Sequence, residues 1–267
     1  MAAAGFPLTR RQARLQDGLS ARFAMLVIVV ASLALFVLAR EQADTFRHNA
    51  NIAQVKDILG APPPPTLTAR PYALAHYAAR VKEISRTPAP AGATAFFGDS
   101  LTEFGDWAAL FPDQHVLNFG VGSDDTFGAA VRLEQLLAAE PAQVFWMMGT
   151  NDFGRGPGPS DIAEANGRLW DRIAERLPDT QVYVLSLLPR EEGATALVTA
   201  TNKRLKAEAD ARGLVFIELQ DRFAAPSGVL RDDLHAGDQL HLNAAGYALW
   251  AEAIGPCVEA QCDADTD

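Results

Sequence analysis

The sequence predicts a doubly wound α/β/α domain, three layers thick, around a five-stranded parallel sheet. Three observations carry this. Short apolar runs recur at 93–98 (ATAFFG), 115–119 (HVLNF), 143–148 (QVFWMM), 181–188 (QVYVLSLL) and 214–219 (LVFIEL). They are too short for surface helices and too continuously apolar for half-exposed strands, which leaves strands buried on both faces and hence parallel. Helix-like stretches at 126–139, 160–177 and 197–212 separate the later runs, and another at 243–254 closes the pattern, with Asn243 as its N-cap. Polar, chemically capable residues gather just after the apolar runs, at the carboxyl ends of the strands, where such sheets bind ligands.

With 267 residues, 49% of them hydrophobic, the chain has room for one medium domain plus extensions. Its net charge of -10 speaks against a nucleic-acid partner. The charge is uneven: residues 1–40 hold Arg10, Arg11, Arg14, Arg22 and Arg40 against Asp17 alone. Between Arg22 and Arg40 lies the uncharged run 23–39 (FAMLVIVVASLALFVLA). As a helix it would reach roughly 26 Å, close to the ~30 Å of a hydrocarbon core, and snorkelling arginines close the gap. It reads as a transmembrane anchor, with a cleaved signal peptide ending near Val37-Leu38-Ala39 as the rival. The positive-inside rule then puts 1–22 in the cytoplasm and the remainder outside it, periplasmic or at the cell surface; cleavage would make the product secreted.

Residues 40–90 form a stalk or linker. It contains the proline run Pro62–Pro65 and a helix at 70–86 able to pack on the domain that follows. That domain spans 91–256, and an acidic tail, 257–267, carries the two cysteines, Cys257 and Cys262. Their spacing permits a small disulfide loop and, with no second ligand cluster, gives no zinc site.

Four segments carry chemistry. Ser100, in FFGDSLTEFG, lies between a buried strand and a helix start, where it is either an exposed nucleophile on a turn or a helix cap. The glycines of LNFGVGSDDT let backbone amides turn toward a ligand, but the spacing does not match a dinucleotide fingerprint. Asn151, in MMGTNDF, can donate to a developing oxyanion or make an Asx turn. In DQLHLN, Asp238 and His241 stand three apart, so a carboxylate can hold one imidazole nitrogen while the other takes a serine proton. Asp232 and His235 repeat that spacing and are the alternative pair.

Together the segments resemble the blocks of the GDSL, or SGNH, hydrolases, over roughly residues 91–255. LNFGVG, GTND, SLLPRE and LHLNAAGY are similar to the platelet-activating-factor acetylhydrolase catalytic subunits and their bacterial relatives. The resemblance implies a flavodoxin-like fold and ester hydrolysis without metal or cofactor. It implies Ser100 as nucleophile with Asp238 and His241, and an oxyanion hole from the Ser100 and Ser123 amides and the Asn151 side chain. At the second donor the family usually has glycine before aspartate, whereas this chain has Ser123 before Asp124. Ser123 would be strained if the turn needs a positive φ, and Gly122 is the reserve donor. Asp99 is read as shaping the turn. The expected substrate is a short-chain acyl or acetyl ester, small or in the cell envelope; envelope O-acyl transfer, O-acetyl esterase and lysophospholipase activities are the alternatives.

Overall fold

The computed structural model describes residues 56–60 and 71–259. The basic segment 1–22, the apolar run 23–39 and Cys262 lie outside them; among the described residues no helix is long and apolar enough to cross a membrane. The elements run α1 (Pro71–Ile84), β1 (Thr94–Gly98), α2 (Ser100–Glu103), α3 (Trp107–Leu110), β2 (Val116–Gly120), α4 (Thr126–Ala139), β3 (Gln143–Met147), α5 (Pro159–Arg176), β4 (Gln181–Leu185), α6 (Thr195–Asp210), β5 (Val215–Ile217), α7 (Gln220–Phe223) and α8 (Ala244–Glu259).

The five strands form one parallel sheet in the order β2-β1-β3-β4-β5. This flavodoxin-like order places a topological switch between β1 and β3, with the ligand side at the strands' carboxyl ends. Every residue of β1 and β3 is buried, as strands covered by helices on both faces must be. Phe96 stacks on Trp107 at 4.1 Å and Phe97 on Trp146 at 4.2 Å between ring centroids.

Two strands, β4 and β5, are about three residues shorter than their apolar runs. Beyond Leu185 the Ser186 amide still reaches Ile217 O (3.0 Å), but the Leu187 amide donates to Asn202 Oδ1 (2.7 Å) and its carbonyl accepts from Asn202 Nδ2 (2.8 Å), which ends β4. The Ser186 hydroxyl accepts the amides of Leu219 and Gln220, which turns the chain out of β5 into α7. The last helix starts as expected, with Asn243 Oδ1 accepting the Gly246 amide at 3.0 Å. It runs on through Pro256 to Glu259, burying Cys257 and Val258; Cys257 is disulfide-bonded.

The short helix α2 holds Ser100 at its first position, capped by Asp99, whose Oδ1 accepts the Leu101 amide at 2.9 Å. Four residues cannot satisfy their own carbonyls, so side chains do it. Tyr247 donates to Leu101 O (2.8 Å), Trp107 to Thr102 O (2.8 Å), and Asn118 Nδ2 to Thr102 O and Glu103 O (3.1 and 3.0 Å). The helix lies so close to the sheet that a Cβ on Gly120 would meet Glu103 N at 2.1 Å, so only glycine fits there.

Beneath this turn sits Arg132 of α4, 2% exposed. It pairs with Asp124 at 2.5 Å, donates to Phe119 O (2.6 Å) and Gly98 O (2.8 Å), and lies 3.8 Å from the Phe97 ring centroid. One guanidinium thus ties the ends of β1 and β2 to the loop after β2.

Helix α1, expected as a possible packed helix at 70–86, lies against this end of the sheet. Arg80 donates to Asn118 O (2.8 Å) and Gly120 O (3.0 Å), Gln135 to Val81 O (2.9 Å), and Tyr77 to Gly128 O (3.3 Å).

Replacing Arg132 by methionine keeps bulk but strands the Asp124 carboxylate in the core. The expected loss is about 3–5 kcal/mol, read from urea denaturation. A second expectation concerns Asp99. Burial pushes its carboxyl from the ordinary 3.8 up to about 6, against the Leu101 hydrogen bond and nearby cations, and its Oδ2 has no partner. A raised carboxyl costs nothing below pH ~4, where both states hold the proton, and destabilises increasingly as pH rises through about 6. Asp99→Asn should therefore gain stability relative to the parent across that window and hold a constant difference above it, as followed by denaturant midpoints at several pH values.

Candidate active site

The loop between α7 and α8 is closed by an antiparallel bridge, His235 to Leu242, with the Ala236 amide donating to His241 O at 2.8 Å. Within it Asp238 folds back on its own chain. Oδ1 accepts the amides of Leu240 (3.0 Å) and His241 (2.9 Å), and Oδ2 lies 2.6 Å from His241 Nδ1. Burial works to raise the Asp238 carboxyl, but the hydrogen bonds from His241 and the two amides outweigh it and bring it down to about 2. Asp238 is thus ionised and fixes the proton on Nδ1, leaving Nε2 as an acceptor. His241 Nε2 lies 3.0 Å from Ser100 Oγ, across 141 residues of sequence.

The alternative pair is used differently. His235 Nδ1 accepts the amides of Gly237 (2.9 Å) and Gln239 (3.3 Å), and its Nε2 is 3.6 Å from Asp232. His235 is therefore a brace inside the loop that presents Asp238 and His241. The ring of Phe104, just past α2 and 55% exposed, stands 5.3 Å from the His241 ring at a 47° tilt. It forms an apolar wall beside the imidazole.

The loop after β2 closes as a turn, with the Asp124 amide donating to Val121 O at 3.1 Å. Ser123, at the third position, has φ 64, the left-handed conformation that glycine adopts freely and serine does not. Its carbonyl accepts from Arg155 at 3.1 Å, and Arg155 also pairs with Asp125. The Gly122 amide donates to Glu103 Oε2 at 2.5 Å. Gly122 is accordingly not the open donor held in reserve by the sequence reading, because a carboxylate already occupies it. Among the described residues the Ser123 and Ser100 amides donate to no protein acceptor, while the amides of Val121, Gly122, Asp124 and Leu101 all do. Asn151 Nδ2 gives one hydrogen to Asp124 O at 2.8 Å, leaving its second uncommitted. The unspent donors at this end of the sheet thus include those of Ser100, Ser123 and Asn151.

Asp152, beside Asn151, turns inward instead. It accepts from the Thr126 hydroxyl (2.5 Å) and amide (3.2 Å), and burial, with Asp125 close by, pushes its carboxyl to about 7. Among the described residues no group of three or more histidine, cysteine, aspartate or glutamate side chains is placed to hold a metal ion. Sequence reasoning did not single out Glu103, Arg132, Arg155 or Phe104. Only Arg132 left a readable trace, a charge on the buried stripe Ala129, Leu133, Leu136 of α4.

The chain matches the GDSL-like Lipase/Acylhydrolase family over residues 96–249. It is 32% identical over 171 residues to platelet-activating factor acetylhydrolase IB subunit alpha1 of Pongo abelii, covering 60% of this chain and 72% of that one. Among solved structures, a GDSL-like lipase from Bacteroides thetaiotaomicron superposes with TM-score 0.61 at 19% identity, over 70% of this chain and 99% of the other. A lipase/acylhydrolase from Enterococcus faecalis gives TM-score 0.54 at 20% identity, over 65% and 98%. The structures agree in fold, the sequence match spans more than half of the chain, and this hydrolytic enzyme belongs to the GDSL-like lipase/acylhydrolase family.

Proposed function

We propose that the chain is a serine esterase that cleaves short acyl esters through an acyl-enzyme on Ser100. The observation that carries this is the hydrogen-bonded series from Ser100 Oγ to His241 Nε2 (3.0 Å) and from His241 Nδ1 to Asp238 Oδ2 (2.6 Å). His241 takes the hydroxyl proton as Oγ attacks the ester carbonyl, and Asp238 stabilises the resulting imidazolium. The Ser100 and Ser123 amides and Asn151 Nδ2 stabilise the tetrahedral oxyanion, each typically worth ~3–4 kcal/mol. His241 then returns its proton to the leaving alcohol as the carbon–oxygen bond breaks. Water, activated by the same imidazole, attacks the acyl-enzyme and releases the acid. The reaction draws on no metal or cofactor.

The preference for an acetyl or other short acyl group is supported by the relatives named platelet-activating factor acetylhydrolase and by the Ser123 side chain in the turn proposed to face the acyl carbonyl. The apolar run 23–39, with arginines before it, supports an anchored enzyme whose domain works outside the cytoplasm on small or envelope esters.

Ser100→Ala should abolish hydrolysis of p-nitrophenyl acetate and labelling by a fluorophosphonate, with an unchanged melting temperature. Undiminished turnover in that variant would remove Ser100 from the reaction. A series from acetate to decanoate should show kcat/KM falling with chain length. Ser123→Gly should relieve about 1 kcal/mol of left-handed strain and raise the melting temperature by ~2–4 °C, seen by calorimetry.

A further inference from the structure

The family match begins at residue 96, yet α1, which ends at Ile84, reaches the loop that holds the proposed oxyanion donor. Glu103, the last residue of α2, is the connecting group. Its side chain is only 11% exposed and works in two directions. Toward the loop, Oε2 accepts the Gly122 amide at 2.5 Å. Toward α1, both carboxylate oxygens lie 3.0 Å from His76 Nε2, and Arg80 Nε is 3.9 Å from Oε1. The His76 ring also borders the loop directly: a Cβ on Gly122 would lie 3.3 Å from His76 Nε2.

The loop needs such support. It contains Gly120 and Gly122, whose backbones have little intrinsic preference, and Ser123 in a conformation serine disfavours. Left alone, the segment from 120 to 124 would sample other turn geometries, and the orientation of the Ser123 amide would go with them. Its fixed points come from outside. Gly98 O takes the Val121 amide, Arg155 holds the Ser123 carbonyl, and Glu103 holds the Gly122 amide. Of these, the Glu103 contact is the one backed by residues N-terminal to the matched family region, which also hold the first residue of the segment directly through Arg80 and Gly120 O.

We propose that α1 is a working part of the active site: His76 and Arg80 fix the Glu103 carboxylate, and Glu103 fixes the Gly122 amide, so that the Ser123 amide faces the developing oxyanion. His76 and Glu103 are positioning residues in this assignment; neither touches the reacting atoms. The inference rests on the proposed esterase chemistry, and its consequence is specific. Loosening α1 at His76 lowers the rate of the chemical step while substrate binding stays intact, because the oxyanion forms only in the transition state.

The test uses the full chain with p-nitrophenyl acetate, measuring kcat, KM and melting temperature for His76→Ala, His76→Gln, Glu103→Gln and Gln135→Ala. His76 is partly exposed, so its variants disturb no packed core. His76→Ala should lower kcat about 5–50-fold with KM within about 3-fold, the range set by a displaced rather than deleted oxyanion donor. His76→Gln, which keeps a donor near Glu103, should restore most of the loss. Glu103→Gln keeps an acceptor for Gly122 but weakens the contact to His76, and should fall between wild type and His76→Ala. Gln135→Ala removes one tie between α1 and α4, at Val81 and away from Glu103, and should leave kcat unchanged even if melting drops. The proposal is overturned if His76→Ala keeps wild-type kcat, or if Gln135→Ala loses as much kcat as His76→Ala, since α1 would then act only through general stability. Either result leaves the Ser100 reading standing as long as a fluorophosphonate still labels Ser100 in the parent enzyme; loss of that labelling marks failure of the esterase reading instead.

Discussion

The buried guanidinium of Arg132 is the contact on which the arrangement depends. A charge removed from water is tolerated only when it is paired and hydrogen-bonded, and this one meets Asp124, Phe119 O and Gly98 O while lying on the Phe97 ring. Gly98 precedes the Asp99–Ser100 turn, Phe119 is the next-to-last residue of β2, and Asp124 closes the loop beyond Ser123. Ser100 and the neighbouring loop are therefore referred to a single rigid point. Asp124 extends the tie, because its carbonyl accepts from Asn151 and so brings the end of β3 into the same frame.

Around that point the rule that buried polar groups must be paired does selective work. The carbonyls of α2 are taken by Tyr247, Trp107 and Asn118, and the amides flanking Ser123 by Val121 O and Glu103. Among the described residues the Ser100 and Ser123 amides are left without a protein acceptor, at the end of the sheet where the oxyanion is proposed to form. In the proposed reaction these unspent donors would receive the oxyanion, and the paired groups around them would keep them in place.

Much of this was legible in the residues. The sheet was, because its strands are apolar on both faces and its helices are not; α4 matches its expected span because Asp125 caps one end and Glu140 turns left-handed at the other. The segments holding Ser100, Asn151, Asp238 and His241 could be picked out because each follows a strand or precedes a helix in the expected order. The limits have physical causes as well. The run 181–188 overstates β4, because apolarity persists after Asn202 has taken over the backbone bonds of Leu187. Asp232–His235 and Asp238–His241 share one spacing, so spacing alone does not separate them; in the structure His235 is spent on the amides of Gly237 and Gln239 while His241 faces Ser100. Glu103 and His76 are 27 residues apart on elements with no shared pattern, so nothing local announces their contact.

The way Arg80 meets the sheet has a further consequence. β2 is an outer strand, and Asn118 O and Gly120 O, which Arg80 occupies, are two residues apart and so face the same way, outward from the sheet. An outer strand with open carbonyls is a template for another chain to add to. Here a guanidinium fills those acceptors and a helix lies over them, so self-association by strand addition is closed on this side. The opposite border, β5, has only three residues and gives little purchase for pairing. Copies of the domain that met at high concentration would otherwise be free to polymerise through the sheet.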